Sequence, residues 1–173
     1  MDILEIKDLE TLAQKRVPKM FFDYVNSGSW TETTYNENIS DFQKIKLRQR
    51  VAIDMSNRTL ATKMVNQSVS MPVAIAPTGL TGMQRADGEI LAAQAAEEFG
   101  IPFTLSTMSV CSIEAVAEKT KNPFWFQLYV MKDKKFMARL IDRAKEAKCS
   151  ALVLTLDLQI LGQRHKDVRN GLS

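Results

Sequence analysis

Histidine appears once and cysteine twice in these 173 residues, so the side chains that most often bind transition metals are nearly absent. Cys111 and Cys149 lie far apart, with no His or Cys cluster around either. That spacing offers no metal-ligand set, and two buried or half-buried free thiols in a reducing cytosol are expected. A disulfide between them is the alternative, and only geometry decides it. No apolar run approaches membrane-spanning length. The opening stretch, Met1 to Lys7, carries Asp2 and Glu5 and no apolar core, so it reads as neither a secretory signal nor a transit peptide. Charge of one sign never accumulates: 23 basic and 20 acidic residues are spread along the chain for a net +3. Nothing here tracks a phosphate backbone, and no nucleic-acid partner is expected.

What is present is a 45% hydrophobic composition, enough for one domain with a sizeable core. Residues 1–70 read as a helical preamble and 71–173 as the main fold. In the preamble, Asp8 suits the N-terminus of a first helix, Pro18 the first turn of a second over Lys19 to Val25, and Asn26 and Gly28 its end. A third helix is expected over Thr31 to Ile39. Lys46 to Val51 and Thr62 to Ser70 are weaker strand or loop candidates.

The stretch from Met71 to Gly79 organises the rest. Val73 to Ala76 is continuously apolar, the pattern of a strand covered on both faces in a parallel sheet. Pro72 and Pro77 bracket it, and Thr78 and Gly79 follow where α/β proteins place ligands. A helix is predicted over Gly88 to Phe99, with Ile90, Leu91, Ala95 and Phe99 near one face and Gly100 stopping it. Then come a strand over Phe103 to Leu105, a helix from Ile113 to about Lys119 capped by Ser112, and a strand over Phe124 to Leu128. Asp133 caps the next helix, whose apolar stripe is Phe136, Met137, Leu140, Ile141 and Ala144, and a strand over Ala151 to Leu154 follows.

Alternating strands and helices with long crossovers mean an α/β fold. The absence of a Gly-x-Gly-x-x-Gly loop after the first strand favours part of a closed barrel over a doubly wound sheet. The residues closing the four strands are Thr78, Ser106, Gln127 and Thr155, which in a barrel open onto one C-terminal mouth. Hydroxyls and an amide there suit a flat heteroaromatic ring edged with carbonyls and nitrogens. Arg164, in the polar loop Gly162 to Asp167, is able to grip a carboxylate with two parallel hydrogen bonds, or stands as a solvated cation. Tyr24 and Tyr129 offer phenols to the same end, or pack as amphipathic residues. His165, flanked by Arg164 and Lys166 with no carboxylate placed to orient it, is not assigned as a base.

Taken together, Phe22 to Tyr24, Leu47 to Arg50, Met71 to Gly79, Gly100 to Thr107, Trp125 to Tyr129 and Leu154 to Asp157 resemble, in order and spacing, the FMN-dependent α-hydroxy-acid dehydrogenases and oxidases. That group includes respiratory L-lactate dehydrogenases, mandelate dehydrogenase and glycolate oxidase. The resemblance implies FMN as cofactor, with Pro77, Thr78 and Gly79 against the flavin ring and Ser106, Gln127 and Thr155 at its edge. It implies binding of a 2-hydroxy acid by Tyr24, Tyr129 and Arg164, and oxidation of L-lactate or a similar acid to the keto acid. Gln159 and Gln163 depart from the residues common in the family.

The same resemblance places the family's catalytic histidine, flavin-side lysine, second arginine and phosphate loops in the second half of an eight-stranded barrel of about 250 residues. Only about four βα units are legible here, so the expectation is the N-terminal half of a (β/α)8 TIM barrel behind a helical segment. Such a chain is expected to carry no catalytic residue of its own, to bind FMN weakly, and to be inactive alone. It would be completed by a separate chain carrying the other half, or self-associate. A non-catalytic, dimeric half-barrel module that binds flavin is the alternative. The expected location is cytoplasmic, with peripheral attachment to the inner face of the membrane as the variant seen in respiratory relatives.

Overall fold

The computed structural model describes residues 2–172. The chain divides into two compact units, one formed by the segment up to Asn57 together with that from Ile160, the other by Arg58–Gln159. The division falls after Asn57 and not after residue 70, because the hairpin that follows belongs with the sheet.

The first unit is helical, with α1 over Ile6–Arg16, α2 over Lys19–Val25 and α3 over Thr33–Ser40, continued by a short 3-10 turn at Asp41–Lys44. Asp8 is the N3 residue of α1 and closes a capping box with Glu5, satisfying backbone donors that a helix start leaves unpaired. Pro18 stands at the N-cap of α2. The Asn26 side chain ties the three helices: Nδ2 donates to Glu10 at 3.0 Å and Oδ1 accepts from the Tyr35 hydroxyl at 2.9 Å. Residues 160–164 lead into a five-residue helix, α8, over His165–Arg169. Arg164 is its N-cap. The loop expected at this position is therefore half helix, and a five-residue helix is too short to show apolar periodicity in sequence.

The second unit opens with an antiparallel hairpin, β1 over Thr62–Met64 and β2 over Gln67–Val69. After the turn-like segment around Pro77 come α4 over Thr81–Gln84 and α5 over Gly88–Phe99. Then β3 (Thr104–Leu105), α6 (Ile113–Lys119), β4 (Trp125–Tyr129), α7 (Lys134–Glu146) and β5 (Ala151–Thr155) alternate. The three strands are parallel and lie in chain order, β3 beside β4 beside β5. Ser112 and Asp133 cap α6 and α7 as expected, accepting from Ala115 and Phe136 N–H at 3.0 Å. Between sheet and helices lies a core of Leu105, Phe126, Leu128, Val116 and Leu140, with Ala93 and Ala96 on α5. Truncating a buried aromatic such as Phe126 to alanine costs about 3–5 kcal/mol in cores of this kind.

Two sequence expectations are corrected. The strand over Val73 to Ala76 contracts to one parallel bridge between Ile75 and Phe103. Ile75 donates to Pro102 and accepts from Thr104 on that side, whereas Val73 is 50% exposed, so the segment is an edge and not a strand covered on both faces. On α5 the expected face is buried only in part: Ile90 packs half-buried against the core, but the rest of that face does not. Leu91 and Phe99 are 45% and 63% exposed and Ala95 is exposed, while Glu89, Ala93 and Ala96 turn inward. Alanines let the helix lie close on the sheet, and a helix apolar on two sides gives no unique period from sequence.

Candidate functional site

Side chains alternate across a strand, so Trp125, Gln127 and Tyr129 share one face of β4, and their register partners Ala151, Val153 and Thr155 share it on β5. At the start of that face the Trp125 indole N–H donates to Gln67 Oε1 on the hairpin at 2.9 Å. The end toward the strand C-termini is polar. There Gln127, 1% exposed, connects three successive strands. Its Oε1 accepts from the Thr107 N–H at 3.0 Å and lies 3.4 Å from Ser106 Oγ. Its Nε2 donates to Thr155 Oγ1 at 2.7 Å. Ser106 Oγ accepts from Met108 N–H at 3.0 Å, and the Thr107 hydroxyl donates to the Gln127 carbonyl, fixing the loop after β3 to β4.

The donors are thus oriented before any ligand arrives. Having accepted from Gln127, Thr155 has its own hydroxyl proton to give, and the second amide hydrogen of Gln127 remains beside it. This is the chemistry of an edge that addresses ring carbonyls and nitrogens, and it fits a flavin. Gln127 does not close its strand, as the sequence suggested, but is the middle residue of β4. Ser106 follows β3, and Thr155 ends β5. Tyr129 ends β4 opposite Thr155.

Pro77 and Thr78 are exposed and Gly79 half-buried. They form a separate turn: the Thr78 carbonyl accepts from Thr81 Oγ1 at 3.1 Å, and Leu80 N–H reaches Met108 O at 2.9 Å. Leu80 itself takes a left-handed conformation with φ 55°, unusual for a branched side chain.

Within the helical unit, Tyr24 and Arg164 come together. The guanidinium carbon stands 4.7 Å over the Tyr24 ring, a cation–π stack. One guanidinium nitrogen donates to the Tyr24 carbonyl and lies 3.3 Å from Ser27 Oγ. Nε is 2.8 Å from Oδ2 of Asp167, one helical turn on and 4% exposed. Asp23 is held below the usual carboxylate range by Lys19 and then by Asn170, whose Nδ2 donates to it at 2.7 Å. His165 meets the Trp30 ring edge-on at 6.0 Å.

Sequence reasoning missed Glu89, Thr107 and Asp167. Glu89 is a 2% exposed carboxylate in the first turn of α5, where sequence shows only an acid favourable to a helix start. Asp167 carried a signal, its spacing of three from Arg164. Cys111 and Cys149 are free and half-buried, and burial raises both thiols, Cys149 to about 11.

The structural class is a sequentially ordered parallel α/β sheet that carries a row of neutral hydrogen-bonding groups toward the C-terminal side of its strands. The chain belongs to the FMN-dependent dehydrogenase family, whose model matches residues 13–173, and FMN is that family's cofactor. It is 50% identical over 166 residues to an L-lactate dehydrogenase of Acinetobacter baumannii, covering 96% of this chain and 43% of the relative. An L-lactate dehydrogenase of Acinetobacter baylyi is 47% identical over the whole chain and 45% of its own length. The chain therefore spans less than half the length of these curated relatives. Among solved structures, a soluble mutant of the membrane-associated (S)-mandelate dehydrogenase from Pseudomonas putida superposes with a TM-score of 0.93 at 35% identity, over 99% of this chain and 49% of that one.

Proposed function

We propose that this chain forms the first four βα units of a (β/α)8 barrel and one wall of the FMN site of an enzyme that oxidises an L-2-hydroxy acid to the 2-keto acid. L-lactate is the best-supported substrate, since the relatives named above are L-lactate dehydrogenases. The barrel reading is supported by the superposition on the (S)-mandelate dehydrogenase, and the strand order, β3 beside β4 beside β5, agrees with it. One observation carries the flavin reading, the Ser106, Gln127 and Thr155 chain of hydrogen bonds across three parallel strands.

In this reading Ser106, Gln127 and Thr155 orient donors to the ring edge, and the backbone of Pro77, Thr78 and Gly79 lies against the ring. When bound, FMN supplies a two-electron acceptor for the hydroxyl-bearing carbon. Tyr129, in the sheet unit, and Tyr24 and Arg164, in the helical unit, are assigned to the hydroxy acid. Arg164 is held by Tyr24 and Asp167 through Nη2 and Nε, which leaves its other terminal nitrogen to meet a carboxylate. The proton-abstracting base is assigned to the second half of the barrel, as the family resemblance implies, and His165, edge-on to Trp30, is given no such role. No helix among the described residues is long and apolar enough to cross a membrane; a cytoplasmic location with peripheral membrane attachment is the proposed setting, the mandelate dehydrogenase above being membrane-associated.

The test is titration of FMN into the purified chain, followed by quenching of flavin fluorescence. Wild-type chain is expected to bind and Gln127→Met to bind about tenfold more weakly, the effect of removing one or two directed hydrogen bonds. Equal binding by the two would sink the assignment of the edge. Reduction of a dye with L-lactate by this chain alone would overturn the placement of the base elsewhere.

A further inference from the structure

Glu89 is a buried carboxylate that the reaction chemistry leaves unused, and it stands between two loops that leave the sheet at its C-terminal end. Its Oε1 accepts from the Gly82 N–H at 3.0 Å, in the segment after Ile75, and from the Val110 N–H at 2.9 Å, in the loop after β3. Burial, the largest single influence, disfavours the charge, but the hydrogen bonds to it, led by those from the Val110 and Gly82 N–H groups, together hold the carboxyl below its usual range, so it is ionised at neutral pH. The space is filled to the limit. A Cβ on Gly82 would stand 2.6 Å from Val110 Cβ and 3.0 Å from Glu89 Oε2. A further hydrogen bond, Leu80 N–H to Met108 O at 2.9 Å, ties the same two loops, with Leu80 in the left-handed region.

We infer that Glu89 is a positioning residue, a carboxylate clamp that locks the Thr78 to Gly82 turn to the Ser106 to Val110 loop and so sets the ring-facing wall before FMN binds. The inference rests on the flavin reading above for its consequence, although the clamp itself rests only on contacts within the sheet unit. A single oxygen accepts both N–H groups, so a carboxamide is able to replace it. Removing the side chain leaves two backbone donors without a partner.

The experiment compares wild type, Glu89→Gln and Glu89→Ala by amide hydrogen exchange and by FMN titration of the same chain. Glu89→Ala is expected to speed exchange at Gly82 and Val110 by about tenfold or more while β4 and α7 keep their protection, and to weaken FMN by a similar factor. Glu89→Gln is expected to stay within about threefold of wild type in both. Unchanged exchange at Gly82 and Val110 in Glu89→Ala would overturn the clamp, and so would a rise throughout the sheet, which would make Glu89 a general support of the core. A local rise with unchanged FMN affinity would overturn its link to the flavin wall. If wild-type chain fails to bind FMN, the flavin reading falls and the exchange arm still decides the clamp.

Discussion

Single residues in this protein hold elements by charge as well as by packing, and Glu114 is the plainest case. Its two oxygens meet Arg143 Nε and Nη2 at 2.7 Å each, a forked pair joining α6 to α7. Arg143 pulls the carboxyl from its ordinary 4.5 to about 2. Because the folded value is depressed, the pair stabilises fully above about pH 4.5, and that contribution is lost as pH falls toward 2. Both side chains are more than 40% exposed, so solvent screening reduces the contribution to about 0.2–1 kcal/mol. Urea unfolding at pH 7 and pH 3 should show Arg143→Met flattening the acid slope relative to wild type; parallel slopes would mean the pair contributes nothing. At this scale legibility in the sequence was uneven. Gln127 stood out as a polar residue taken to close its strand, whereas the clamp at Glu89 looked like any acid in a first helical turn, because its partners are backbone N–H groups seven and twenty-one residues away.

Helices announced themselves where caps and length combined. The span Lys19–Val25 follows from Pro18 and Asn26, and Ile113–Lys119 starts where Ser112 predicted. Ser112→Ala should therefore cost about 1 kcal/mol of stability by removing the bond to Ala115 N–H, with the loss read as a lower denaturant midpoint at unchanged slope. An unaltered midpoint would show that water replaces the cap without penalty. The short helices Thr81–Gln84 and His165–Arg169 escaped detection because one turn contains no period to read. Most of the inner face of α5 escaped for a different reason: beside Ile90 it is marked by Ala93 and Ala96, small residues suited to close approach, while Leu91 and Phe99 lie outside. The wall of the candidate site was legible in composition but not in connection. Its hydroxyls and amide were countable in sequence, but that Gln127 joins Thr107 to Thr155 depends on the register of β4 with β5.

At the scale of the whole molecule, the sheet unit ends on a strand that invites company. Among the described residues β5 pairs with β4 and with no strand on its other side. Its outward leucines, Leu152 and Leu154, are each 48% exposed, alternating with half-buried Ala151, Val153 and Thr155. An open strand edge with alternate exposed leucines is a template for pairing, and nothing charged on β5 blunts it. In the barrel reading this edge receives the next strand and the leucines receive the helices around it. The 173-residue chain purified by itself should then elute on size exclusion above its 19.5 kDa monomer mass or precipitate. Placing lysines at both positions, Leu152→Lys with Leu154→Lys, should move it toward the monomer by charging the open edge, while far-ultraviolet circular dichroism keeps the helical signal of α5 and α7. A wild-type chain that stays monomeric at micromolar concentration would show that the edge is covered from within the chain, and the four-unit barrel reading would have to give way to a self-sufficient sheet.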